Sequence, residues 1–155
     1  MSFSFKYKPI KLKSGRGIYR PLIPLTLVGA EHLDVLAVLD SGSDMTVLPK
    51  EIAEVMNIKY FEEDELFGIT GAKVKAKIGR ITISFGKNRE IYNFQIPVVV
   101  PDKENISVII GRIGFFDNFK ITFLKEKSGL SSKKCLIRGT INSANPFSQH
   151  LKVNF

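Results

Sequence analysis

Tryptophan is absent, cysteine occurs once and histidine twice in a chain of 155 residues. The lone Cys135 excludes an intrachain disulfide framework, and with His32 and His150 it forms no cluster of zinc-site spacing. His32 falls in an expected turn and His150 near the end of the chain, so both read as solvated surface, while Cys135 reads as a core residue of a strand. No apolar run approaches the roughly eighteen residues that a membrane-spanning helix needs. Residues 1–10 (MSFSFKYKPI) alternate apolar side chains with Ser and Lys instead of forming a signal-peptide core. These absences lead to the expectation of a cytoplasmic protein with no metal, no cofactor and no membrane partner.

What is present is ordinary for a globular protein: 44% hydrophobic and 25% charged residues, at a length that suits one domain with a modest tail. The net charge of +8 raises nucleic acid as a partner, but its distribution argues against it. Residues 1–20 hold six basic and no acidic side chains (+6), residues 125–155 six basic and one acidic (+5), and residues 21–124 eleven basic and fourteen acidic (−3). A mildly acidic body between two basic, solvated ends leads to the expectation of no nucleic-acid partner. The expected division is a basic N-terminal arm over 1–19, a folded domain over 20–138 and a C-terminal tail over 139–155.

Period-two apolar patterning dominates, so the expected fold class is all-β with one or two short helices. Ile18–Val28 and Leu33–Leu39 read as strands joined at Gly29–Glu31. Pro49–Met56 reads as a short helix with Ile52, Val55 and Met56 on one face. Val74, Ala76 and Ile78 alternate with lysines, and the alternation resumes at Ile81, Ile83 and Phe85 with its parity shifted by one, which suggests a bulge or bend at Gly79. Gly86–Asn88 reads as a turn into a strand over Ile91–Val100, whose Pro97 suggests an edge position or an irregularity. After Val108–Ile110, a second helix over Arg112–Phe119 is expected, then strands at Lys120–Leu124 and Lys134–Ile137, with a loose segment at Lys125–Lys133. The acidic run Glu62–Glu65 reads as a solvated loop, because consecutive carboxylates do not converge on a metal.

The chemistry-bearing segment is Val38-Leu39-Asp40-Ser41-Gly42-Ser43-Asp44-Met45-Thr46-Val47. It places a carboxylate at the end of an apolar strand, on a turn that Gly42 lets bend sharply, with hydroxyls at hand to orient it. This segment resembles the active-site loop of retropepsin-like aspartic proteases, apolar-apolar-Asp-Thr/Ser-Gly-Ala/Ser. Phe67-Gly68-Ile69-Thr70-Gly71-Ala72 falls where that family has its flap, and Val108-Ile109-Ile110-Gly111-Arg112 resembles its second signature. The similarity runs from about Arg20 to Ile137.

The resemblance implies an acid-protease barrel and an aspartic endopeptidase acting on polypeptide. Asp-Ser-Gly occurs once, and the nearest match, Lys127-Ser128-Gly129, begins with the wrong residue. Two carboxylates sharing one proton therefore require a homodimer that brings together an Asp40 from each chain. Asp40, Ser41 and Gly42 would form the catalytic loop, and Ser43 would donate to the outer carboxylate oxygen and so lower the apparent pKa values of the pair. Asp44 would bind substrate backbone and pair with Arg112, with Arg20 as a further candidate partner. Gly68, Ile69, Thr70 and Gly71 would form the flap over the substrate. Ile69 would sit at the flap tip and Val47 and Ile109 would line apolar subsites, although core packing explains each of these three equally well. The alternative is a non-catalytic relative that keeps the fold as a dimerisation or peptide-binding module.

Overall fold

A computed structural model describes residues 2–67, 71–125 and 133–139 of the chain. Gly68, Ile69 and Thr70 of the expected flap, 126–132 of the expected loose segment and 140–155 of the expected tail lie outside the described residues. The elements run β1 (Ser2–Lys6), β2 (Lys8–Lys11), β3 (Gly17–Arg20), β4 (Leu22–Val28), β5 (His32–Leu39), β6 (Thr46–Val47), α1 (Lys50–Val55), β7 (Tyr60–Phe67), β8 (Lys73–Lys87), β9 (Glu90–Pro101), β10 (Ile109–Ile110), β11 (Phe119–Lys125) and β12 (Lys133–Gly139). The fold is all-β, as the alternation implies.

Six strands in the order β4-β5-β10-β6-β9-β8 close into a barrel when β8 pairs back onto β4 through Thr26↔Ser84, Leu27↔Ile83 and Val28↔Thr82. Closure removes two sheet edges and gives the inward-facing residues a common interior. Ile23, Leu27, Leu48, Ile83, Ile96, Val98 and Ile110 are fully buried there. Helix α1 covers part of this interior with Ile52, Ala53 and Met56, whereas Val55, expected on the same face, is 53% exposed. The buried stripe is i, i+1, i+4, which leaves i+3 on the solvent side.

A second, three-stranded sheet has the order β1-β12-β11, and β2 and β3 form a separate hairpin. Residues of the expected solvated arm are thus partly built in: β1 pairs with β12, and Phe3 and Phe5 are buried. An aromatic cluster joins this sheet to the barrel, with Phe85 in edge contact with Phe3, Phe115 and Phe119. Alternating Ser and Lys with Phe gives β1 one apolar face, and that face packs.

Four further expectations are corrected. The parity shift in β8 is not a slip of that strand, because its register with β9 is continuous from Ala76↔Pro101 to Lys87↔Glu90. The irregularity lies in the partner β7, between Tyr60 and Glu62. In β8 the apolar side changes instead: Ile81, Ile83 and Phe85 face the barrel interior, and Val74, Ala76 and Ile78 the opposite face. Gly79 sits at the changeover because an added Cβ would stand 2.8 Å from the Lys59 carbonyl oxygen.

The acidic run is strand β7, not a loop. Glu63 stands directly opposite Lys77 and Glu65 opposite Lys75, and Lys73 reaches Glu65 at 3.0 Å, so opposite charges across the pair hold an otherwise poor strand sequence. Pro97 does not lie on an edge strand, since β9 is flanked by β8 and β6; it falls just before Val98, where the β6 ladder begins. Arg112–Phe116 is a single irregular turn and not a helix through Phe119. Ile113 is extended and Gly114 has φ +87°, which breaks the helical path and releases Phe119 into β11.

Candidate active site

Strand β5 delivers Asp40 to a point gripped from both sides. Leu39 N–H donates to the Pro21 carbonyl at 3.0 Å, and Asp40 N–H to the Ile110 carbonyl at 3.1 Å. The chain then turns tightly: Ser43 N–H donates to the Asp40 carbonyl at 3.2 Å, and Gly42 N–H to Asp40 Oδ1 at 2.8 Å. A Cβ at Gly42 would sit 3.1 Å from the same carboxylate oxygen, a tight contact that a small shift of the Asp40 side chain would relieve. Asp40, Ser41 and Gly42 are all exposed in the single chain.

The descending half of the loop lies flat on the segment after β10. Arg112 N–H donates to the Ser43 carbonyl at 2.9 Å and Ile113 N–H to the Asp44 carbonyl at 2.8 Å. Gly111 N–H donates to the Oγ1 of Thr46, a hydroxyl wholly buried among apolar side chains. A Cβ on Gly111 would stand 2.4 Å from the Met45 carbonyl carbon and oxygen, so only glycine lets the two segments meet. Arg112 Nη2 also donates to Asp44 Oδ1. Those two side chains are 57% and 69% exposed, so solvent screens the ion pair and the backbone bonds do most of the anchoring. Arg20 stands on β3 opposite Lys8, and the Asp44 carboxylate is paired with Arg112.

Ser43 does not play the part expected of it. Its hydroxyl donates to the Met45 carbonyl at 2.7 Å, so its single proton is engaged within the loop and not on the Asp40 carboxylate. The carboxylate is instead held by the Gly42 backbone.

Strand register assembles the rest of the site. Val38 pairs with Ile109, Ile109 with Val47, Val47 with Val99, and Val99 with Ile78. Directly paired residues share a face, so these five side chains form one apolar row across five strands, on the face opposite the barrel interior. Asp40 follows Val38 by two residues on that side. Val38, Ile109, Val47 and Ile78 are half-buried, and Val99 is buried. Val47 and Ile109 were identified from the sequence; Val38, Val99 and Ile78 were not. The signal for them was the alternation itself, in which each is apolar and out of phase with the core residues beside it. β7 and β8 extend beyond the barrel as a hairpin that carries Gly71, at φ +75°, at its turn.

No protein-family sequence model matches the chain, and neither does any curated protein sequence. Among solved structures, the chain is similar to a retropepsin-like aspartic protease from Rickettsia conorii, at 14% identity and a TM-score of 0.52, over 88% of this chain and 90% of that one. It is also similar to the EIAV protease complexed with the inhibitor HBY-793, at 21% identity and a TM-score of 0.44, over 60% of this chain and 82% of that one. The closed six-strand barrel, with its strand-end carboxylate loop and projecting hairpin, has the retropepsin-like aspartic protease fold. At these identities the likeness defines the fold, and the chemistry rests on this chain's own residues.

Proposed function

We propose that the protein is an aspartic endopeptidase, active as a homodimer in which the two Asp40 carboxylates meet at the two-fold axis. The observation that carries this reading is the placement of Asp40, exposed at the end of a strand clamped by β4 and β10, with one oxygen held by Gly42 N–H. In a dimer the two carboxylates repel and share one proton. The unprotonated Asp40 takes a proton from water as its oxygen attacks the peptide carbonyl carbon, and the protonated Asp40 gives its proton to the carbonyl oxygen. The tetrahedral diol collapses when the amide nitrogen receives a proton, breaking the C–N bond and leaving a free acid and a free amine.

The remaining residues position the substrate. Ser41 and Gly42 present the loop to the partner and to substrate backbone, and Asp44, steadied by Arg112, accepts from substrate N–H groups. The row that includes Val47 and Ile109 takes apolar side chains, and the β7–β8 hairpin that carries Gly71 covers an extended peptide. The reaction uses water and no cofactor, and a cytoplasmic setting suits this reading. Digestion of a peptide library by the wild type and by Asp40→Asn, from acidic to neutral pH, tests it. Cleavage is expected from the wild type alone, and cleavage at the same sites and rates by Asp40→Asn overturns the assignment.

A further inference from the structure

The β2–β3 hairpin stands apart from both packed layers and carries a charge that the barrel does not use. Lys8, Lys11, Lys13, Arg16 and Arg20 lie on it, and the first acidic residue of the chain is Glu31. Lys8 pairs with Arg20, Pro9 with Tyr19, Ile10 with Ile18 and Lys11 with Gly17. The strands close where Leu12 N–H donates to the Arg16 carbonyl and Gly15 N–H to the Leu12 carbonyl. Ile10 and Ile18 are half-buried across from each other, and every other residue from Lys8 to Arg20 is exposed. None of the five cations has an ion-pair partner among the described residues. Lys8 directly opposite Arg20 is a like-charge pair that weakens a short two-stranded ribbon, and an anion lying across the pair relieves it.

Strand register fixes where this charge sits. β4 pairs with β5 from Leu22↔Val38, and the bond from Leu39 N–H to the Pro21 carbonyl continues that ladder by one residue. The next position puts Arg20 opposite Asp40, on the side that Val38 shares with the apolar row. From Arg20, Ile18 and Arg16 alternate on that side of β3, with Lys8 and Ile10 across from Arg20 and Ile18. At about 3.3 Å per residue, Arg16 and the turn at Lys13 lie no more than roughly 25 Å from Asp40, the reach of about seven residues of extended peptide. A polypeptide held over Asp40 is therefore long enough to touch the hairpin while its scissile bond stays in place. Acidic side chains are what the hairpin's charge complements.

We infer that the β2–β3 hairpin is an outer substrate site that selects polypeptides carrying Asp or Glu within about seven residues of an apolar cleavage segment. This rests on the reading of the Asp40 loop as a peptidase site and names the substrates that site favours. Substrate carboxylates meet Lys11, Lys13 and Arg16 in solvent, so the gain is in binding and is weakened by salt. It vanishes as those carboxylates protonate below about pH 4. Continuity with the Asp40 strand favours polypeptide over nucleic acid or an anionic membrane, either of which would need only the charge.

Binding to full-length Asp40→Asn, which holds peptide without cleaving it, tests the inference with fluorescent peptides of one apolar core flanked by Glu, by Gln or by Lys. At about pH 6 and low salt the Glu-flanked peptide is expected to bind roughly tenfold tighter than the Gln-flanked one, and the difference to shrink in about 0.5 M salt. Adding Lys11→Gln, Lys13→Gln and Arg16→Gln is expected to abolish the preference with little change in thermal midpoint. Lys11→Glu, Lys13→Glu and Arg16→Glu together are expected to turn the preference toward the Lys-flanked peptide. Equal binding of the Glu- and Gln-flanked peptides by the unaltered hairpin, or none, overturns the proposal, as does a preference that survives the triple substitution to Gln. So does a random-sequence single-stranded oligonucleotide, or a vesicle of phosphatidylserine and phosphatidylcholine, that binds tighter than the Glu-flanked peptide and is released by the same triple substitution. Selective binding without cleavage of the Glu-flanked peptide by the wild type leaves the hairpin site standing and counts against the Asp40 chemistry, so the two failures are distinct.

Discussion

Gly111 governs more of the site than its lack of a side chain suggests. The Ser43–Thr46 backbone rests on it, with Met45 2.4 Å from the place a Cβ would occupy, and its own N–H satisfies the buried Thr46 hydroxyl. Because the obstruction is backbone and not a flexible side chain, Gly111→Ala should cost about 2–3 kcal/mol and displace the Asp40 loop. Urea denaturation measures the stability term, and a loss below about 0.5 kcal/mol would show that the loop can retreat freely. Ser43 gives the opposite kind of result. With its proton on the Met45 carbonyl at 2.7 Å, Ser43→Ala should lower stability by about 1 kcal/mol through the lost hydrogen bond. It should leave both limbs of a bell-shaped pH–rate profile in place. A shift of the whole bell toward neutral pH would show that the hydroxyl turns to the Asp40 carboxylate in the dimer. The sequence shows a hydroxyl near a carboxylate, but which oxygen receives its proton depends on the path of the loop two residues on, at Met45.

At the scale of elements, the β7–β8 hairpin shows why a local reading failed. Four consecutive acidic residues, Glu62, Glu63, Asp64 and Glu65, argue for a solvated loop, yet they form a strand because lysines stand across from them. Reversing Glu63 and Glu65 to lysine places like charges opposite Lys77 and Lys75 and removes the contacts to Lys77 at 4.0 Å and Lys73 at 3.0 Å. Each exposed pair is worth under about 1 kcal/mol, so the variant should keep its global stability within roughly 1–2 kcal/mol. Amide hydrogen exchange in β7 should nevertheless quicken by about tenfold while the barrel strands stay protected. Unchanged exchange in β7 would mean that the backbone ladder alone holds the hairpin. The Arg112–Phe119 segment failed for the converse reason. Its apolar spacing fits a helix, and the positive φ of Gly114, at a place where an added Cβ would stand 2.7 Å from Ile96, decides otherwise.

Across the whole molecule, Cys135 reports on the junction between the terminal sheet and the barrel. It is wholly buried in β12, and burial pushes its thiol from an ordinary value near 9.0 up to about 11. The folded state thus favours the neutral thiol, whereas the unfolded chain ionises earlier. This contribution to stability is fully present below about pH 9 and is lost as pH rises toward about 11. The expected loss over that window is on the order of 2 kcal/mol, and Cys135→Ser or Cys135→Ala should remove that part of the pH dependence. Thiol alkylation of the native protein should be slow at neutral pH and should follow global opening, since this is the chain's only cysteine. Rapid native labelling would show that β12 opens independently of the barrel.

From the residues alone follow the all-β class, the strand that ends at Asp40 with the turn after it, and the likeness of Asp40-Ser41-Gly42 and Ile109-Ile110-Gly111-Arg112 to an aspartic-protease pair of signatures. These are local properties: alternation has period two, glycine permits close approach, and both are written in consecutive residues. Tertiary structure alone decided the rest. It laid Gly111 against Met45, turned the Ser43 hydroxyl to a carbonyl, aligned Val38, Ile109, Val47, Val99 and Ile78 in one row, and closed β1 onto β12 within a single chain. Apart from the Ser43–Met45 contact, which follows the local path of the loop, each of these joins residues far apart in sequence, and their meeting is set by barrel closure and strand register, which no short stretch of residues encodes.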